Sequence, residues 1–161
     1  MPDKETIQRA RQDAAQGKSP STQAGEFVRE EIHHVREGKH GARSPKQAIA
    51  IGLSKARRAG VKLPPPGAGK TSAGTRRSAQ RDLTASRRSR RTSARRSQAV
   101  KGALRREPRQ SASPTALARQ ARTAARQRGR TSRSAAARKA SRTKGTAGRR
   151  ADLSVVPKNE T

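Results

Sequence analysis

The sequence predicts a mainly α-helical protein: a small helical hairpin, with a short helix before it, followed by a long and largely disordered Arg-rich tail. Three observations carry that expectation. Residues 44–61 (SPKQAIAIGLSKARRAGV) hold every local signal of a capped helix, and residues 21–37 repeat apolar side chains at helical spacing. From residue 75 onward the chain is low-complexity Arg, Ser, Ala, Thr and Gly. The expected boundaries are 1–20 for a marginal helix and linker, 21–62 for the hairpin, 63–74 for a Pro/Gly linker and 75–161 for the basic tail.

Residues 4–16 (KETIQRARQDAAQ) read as a helix with only Ile7 and alanines to bury. Nucleation is costly for so short a segment, so it is marginal alone. Gly17–Pro20 breaks the chain, and Ser21 or Thr22 opens the next helix, which runs to about Glu37. Ala24, Phe27, Val28, Ile32 and Val35 share one face about 140° wide. Gly38 then suits the left-handed position that ends a helix.

After the loop 38–43 (GKHGAR), Ser44 is a favoured N-cap and Pro45 fits the first helical position, where its missing N–H is no loss. Gln47, three residues on, completes a capping-box pattern. Ala48, Ile49, Gly52, Leu53, Ala56 and Ala59 line one stripe, with Ile51 about 60° off it. Gly60 and Val61 supply a left-handed stop and an apolar residue to fold back on the last turn. So short a loop folds the two helices into an antiparallel hairpin, with Phe27, Val28, Ile32 and Val35 against Ile49, Leu53 and Ala56. That core is small for independent stability, so the first helix, a second copy or a ligand is expected to complete it. Three prolines, Pro64–Pro66, make a stiff spacer. Within the tail, Ser113 as cap, Pro114 as first residue and Gly129 as stop mark a latent helix that places Arg119, Arg122 and Arg126 within about 60° of one another.

Charge is the second source of information. The chain carries a formal +29, from 40 Lys/Arg and 11 Asp/Glu. Residues 1–40 are balanced, with seven of each sign, whereas residues 64–161 hold 27 basic residues against Asp82, Glu107, Asp152 and Glu160. Low hydrophobicity and high charge cannot offset the entropy of ordering, hence the expected disorder. The asymmetry points to a polyanion. Of those 27 residues 22 are Arg, which forks onto phosphate and enters narrow minor grooves. No aromatic follows Phe27, so platforms for stacking single-stranded bases are missing, which favours a duplex or structured polyanion over single strands; duplex DNA is the partner expected, with RNA as the alternative.

The residues assigned to nucleic acid are Lys46, Lys55, Arg57 and Arg58 in the hairpin, and Arg76, Arg77, Arg87, Arg88, Arg90, Arg91, Arg95, Arg96, Arg105, Arg106, Arg119, Arg122 and Arg126 in the tail. Their role is phosphate contact rather than base reading: a sequence-reading helix-turn-helix has a shorter turn and polar side chains for base edges. The function expected is largely sequence-independent DNA binding without catalysis or cofactor, in the cytoplasm at a bacterial nucleoid. The alternatives are an RNA- or ribosome-associated protein, or a protein-interaction or homodimerising module in 21–62 localised by its tail.

Other patterns point elsewhere and are set aside. Pro64–Thr71 (PPPGAGKT) misses a phosphate-binding loop by one glycine and follows no buried strand. His33, His34 and His40 with Glu30, Glu31 and Glu37 form the one metal or acid–base candidate, but neighbouring histidines diverge by about 100° on a helix. They read as a solvated face with ion pairs such as Glu30–His34, and no metal is assigned. Arg-Arg-Ser steps at Ser78, Ser89 and Ser97 resemble basophilic kinase targets, yet composition alone produces them. There is no cysteine, and no apolar run approaches the roughly 20 residues of a membrane span. The first residues, MPDKETIQRARQD, lack the pattern of a secretory signal.

Ser44, Lys46, Gln47, Ala48, Ile49, Ala50, Ile51, Ser54 and Ala56 also make up an S-x-K-Q-A-I-A-I-x-x-S-x-A pattern. It resembles that of a family of small, basic bacterial proteins of uncharacterised function, with Glu26–Gly41 in place of the family's preceding helix and loop. The resemblance implies a bacterial origin and supplies no activity or ligand. The tail is similar in composition to the extensions of linker-histone-like bacterial proteins.

Overall fold

In the computed structural model, residues 2–85 and 93–129 are described, together with single positions between 132 and 142. Helices account for most of these residues and no strand occurs among them: α1 (Lys4–Ala15), α2 (Pro20–Arg36), α3 (Pro45–Arg58), α4 (Ala73–Ala85), α5 (Ala94–Arg105), a 3-10 turn at Gln110–Ala112, and α6 (Pro114–Gln127). Two compact units are distinguished, residues 1–118 and 119–161.

The hairpin forms as its capping residues dictate. Ser44 Oγ accepts from the Gln47 N–H at 3.3 Å, while Gln47 Oε1 accepts from the Arg43 N–H, one residue earlier than a standard capping box. At the far end Gly60 takes φ +99°, and the Gly60 and Val61 N–H groups bond back to Arg57 and Ala56 carbonyls. This is a Schellman stop, and Val61 is buried by it.

α2 and α3 cross closely because a glycine stands at the contact. A Cβ on Gly52 would lie 2.7 Å from Val28 Cα and 3.0 Å from the Phe27 carbonyl oxygen. Those atoms are backbone and cannot swing aside. Gly52→Ala is therefore expected to destabilise the first unit by about 1–2 kcal/mol, overpacking outweighing the alanine's helix propensity. A thermal melt followed by circular dichroism measures it, and a variant more stable than the parent would show that the helices can part.

Around this crossing the apolar side chains form two clusters. Ala10, Ala24, Phe27, Ala56 and Val61 are buried with Ile7, Leu53 and Leu63 against them. Val35, Ala42, Ala48 and Ala112 are buried with Ile32 alongside. Of the expected core, Phe27, Val35 and Ala56 are buried, while Val28, Ile32, Ile49 and Leu53 are half-buried; Ile51, off the stripe, is half-buried too.

Three findings extend or depart from the sequence expectation. First, of the completions expected for the hairpin core, α1 supplies one: Thr6 and Ala10 are buried, and Arg9 Nε donates to Glu26 Oε2 of α2 at 2.7 Å. Second, α4 returns to α3. Asp82 accepts from Ser54 Oγ at 2.6 Å and from Arg58 Nε at 2.8 Å, so a carboxylate in a basic segment becomes its anchor. Third, the end of α5 and the 3-10 turn dock on the hairpin. The Gly41 and Ala42 N–H groups bond to the Leu104 and Pro108 carbonyls, and Arg36 Nε donates to the Ala112 carbonyl. Gly41 permits this, since a Cβ there would run into the Glu107 carbonyl. Of the tail expected to be disordered from residue 75, residues 75–85 and 93–129 thus carry helices, and 143–161 lie outside the described residues. α6 has the predicted cap, with the Ala116 N–H on Ser113 Oγ at 3.2 Å, and Gly129 beyond it at φ +71°.

Candidate functional site

Two arrangements of charged groups stand out, one spread over helix surfaces and one buried. On the surface, Arg76 and Arg77 of α4, Arg95, Arg96 and Arg105 of α5, Arg106 just after it, and Arg119, Arg122 and Arg126 of α6 are all exposed. Helical spacing puts the three α6 arginines on one side of that helix. Arg87, Arg88, Arg90 and Arg91 lie outside the described residues.

The basic residues of α3 divide differently from the sequence expectation. Lys46 is exposed. Arg58 keeps an exposed side chain although its Nε is held by Asp82. Arg57, expected to contact phosphate, is 7% exposed and donates to the Leu63 and Pro64 carbonyls. Burial pushes its guanidinium below the usual arginine value, with Asp82 opposing. It fixes the linker onto α3 instead. Lys55 also turns inward, its Nζ 2.6 Å from Glu31 Oε2 and 3.5 Å from Glu30 Oε1. Both are corrections to the phosphate-binding set. Their cause is one that helical spacing alone does not disclose: the Leu63 and Pro64 carbonyls come back onto Arg57, and α2 presents acids to Lys55.

Those acids form the second arrangement. Glu30 and Glu31, expected on a solvated face, are 5% and 0% exposed. His34 Nδ1 lies 3.9 Å from Glu30 Oε1, and His34 Nε2 lies 3.4 Å from Asp3 Oδ2 at the start of α1. His40, carried by the loop after α2, places Nε2 3.1 Å from Glu31 Oε1. The His34 and His40 rings stand edge to face with centroids 6.2 Å apart. His33, by contrast, points outward beside Glu37. The 100° between adjacent helix positions therefore selects one histidine of the pair for the interior. At the rim, a hydrogen bond from Lys39 holds the Glu37 carboxyl below its ordinary value and raises Lys39 in return. A cavity of about 350 Å³ opens beside the cluster, lined by Asp3, Thr6, Glu30, His34 and Lys39 among others.

The remaining candidates are simple to place. Residues 61–67 carry no regular structure and α4 starts at Ala73, so no strand leads into Pro64–Thr71. Ser78 is exposed and accepts from Arg81 Nη2, Ser97 is half-buried, and Ser89 lies outside the described residues. No described helix is long and apolar enough to cross a membrane.

Residues 15–66 match a family of unknown function (DUF6496), which covers α2, α3 and the loop between them. No curated protein and no solved structure matches the chain.

Proposed function

We propose that this protein is a non-catalytic, largely sequence-independent DNA-binding protein of the nucleoid-associated, histone-like kind, in which a charge-balanced helical head carries cationic helices and an Arg-rich extension. The carrying observation is the distribution of charge. Residues 1–40 balance to zero, while 27 basic residues face four acidic ones over 64–161. Of those four acids, Asp82 is engaged by Ser54 and Arg58, and Glu107 lies 3.6 Å from Arg43. The exposed arginines of α4, α5 and α6 thus have little internal charge to satisfy them. Each arginine that neutralises a phosphate releases condensed counterion, a gain that depends on no base sequence. The composition of the tail, similar to that of the extensions of linker-histone-like bacterial proteins, is in keeping with this reading.

Competition against a labelled duplex tests it. Two unlabelled duplexes of unrelated sequence are expected to compete equally, whereas a sequence reader would separate them by about 10³-fold or more. Structured RNA is expected to compete less well, and the opposite order would favour the RNA-associated alternative.

A further inference from the structure

We propose that Glu31, His34 and His40 form a binding site for a divalent transition-metal cation of the zinc class, with Asp3 and Glu30 as its outer carboxylates. The ligand atoms of Glu31, His34 and His40 lie within 4.8 Å of one another, as do those of Asp3, Glu30 and His34. Two donors held about 2.1 Å from a tetrahedral zinc ion are themselves about 3.4 Å apart. The 3.1 Å between His40 Nε2 and Glu31 Oε1 is close to that spacing.

Two features of the buried acids favour a cation at the cluster. Glu31 is fully buried, and neither of its carboxylate oxygens accepts a directed hydrogen bond; nor does Glu30 Oε1. Lys55 Nζ, 2.6 Å from Glu31 Oε2, and His40 Nε2, 3.1 Å from Glu31 Oε1, are the ion-pair partners of these oxygens. The charge also fails to balance. Glu30 and Glu31 bring two buried carboxylates against the one ammonium of Lys55, and Asp3, whose side chain is 59% exposed, adds a third carboxylate at the rim. The other ions at the rim are paired among themselves, Lys39 with Glu37 and both Arg9 and Arg29 with Glu26. Uncompensated buried charge is strongly unfavourable. A divalent cation at the two imidazoles would place positive charge beside both buried carboxylates.

The donor set selects the class of ion. Two imidazoles and a carboxylate, without a thiolate, suit Zn²⁺, Co²⁺ or Ni²⁺, whereas Mg²⁺ prefers oxygen alone. His34 has a carboxylate on either side, Asp3 across Nε2 and Glu30 across Nδ1. Whichever nitrogen binds the ion, the other can donate to an acid that orients the ring. The adjoining cavity reaches His34 together with Asp3 and Glu30, and the ion would tie α2 to the loop that leads into α3.

The test uses the full chain, freed of metal by chelator and titrated with Zn²⁺ in a calorimeter. One ion per chain is expected, with Mg²⁺ unable to displace it. His34→Ala and His40→Ala are each expected to weaken binding by at least about 10- to 100-fold. His33→Ala, whose side chain is 62% exposed, serves as the control and should bind as the parent does. No stoichiometric binding by the parent chain, or equal affinity in all three variants, overturns the proposal. A second measurement needs no variant. The parent chain loaded with Co²⁺ should show the intense visible absorption of low-coordinate, imidazole-bound Co²⁺, and the weak spectrum of the hydrated ion would overturn the assignment.

Discussion

Raising KCl from about 50 to 200 mM is expected to weaken binding of the full chain to duplex DNA by about 10³- to 10⁵-fold, the loss that goes with six to ten phosphate contacts. The physical cause is counterion release. If about ten of the 27 basic residues beyond position 63 engage, log K should fall against log[salt] with a slope near −9. Replacing Arg119, Arg122 and Arg126 together by glutamine should reduce that slope by about 2.7, and at about 0.15 M salt should cost roughly 10²-fold in affinity. Glutamine keeps the helix propensity of α6, so the change isolates charge. Fluorescence anisotropy of a labelled duplex over a KCl series reads both quantities. A slope shallower than about −3 in the parent chain would mean that only about three phosphates are neutralised, and the electrostatic reading would fail. Cutting the chain after residue 66 is a poor substitute for this experiment. Residues 104–112 dock on the hairpin, so such a cut removes part of the head's own packing.

Lys55→Met is expected to be the most damaging single change to the folded head. Methionine preserves length and helix propensity but leaves Glu30 and Glu31 buried without their ammonium. Breaking a buried ion pair on one side costs about 3–5 kcal/mol, against a total stability of about 5–15 kcal/mol for an ordinary domain. Tm should fall by more than about 10 °C. Measured in EDTA, so that no divalent ion substitutes for the lysine, the melt compares Lys55→Met with Lys46→Met on the same helix. Lys46 is exposed, and its loss should stay within about 0.5 kcal/mol. Equal melting temperatures for the two variants would show that the acid cluster does not depend on Lys55.

What the sequence determined by itself is local. Ser44, Pro45 and Gln47 fix where α3 begins, and Gly60 with Val61 fixes where it ends, because caps act on backbone groups within one turn. Ser113, Pro114 and Gly129 do the same for α6. The stripe containing Ala24, Phe27 and Val35 announces its buried face through a 100° step. Charge asymmetry is likewise a property of the chain and needs no fold.

What only the tertiary structure decided is which polar residues leave solvent. Lys55, Arg57, Glu30, Glu31 and Asp82 have the composition of a solvated surface, and hydrophobic periodicity assigns them there. They turn inward because partners arrive from distant positions: the Asp3 N–H onto Glu30, His40 from a loop onto Glu31, Leu63 and Pro64 from the linker onto Arg57, and Ser54 and Arg58 for Asp82. The docking of residues 104–112 was illegible for a related reason. It runs on backbone hydrogen bonds to Gly41 and Ala42 and on the small side chain of Ala112, none of which leaves an apolar pattern. A buried ion pair is decided by the meeting of two segments, and no property of either segment alone encodes it.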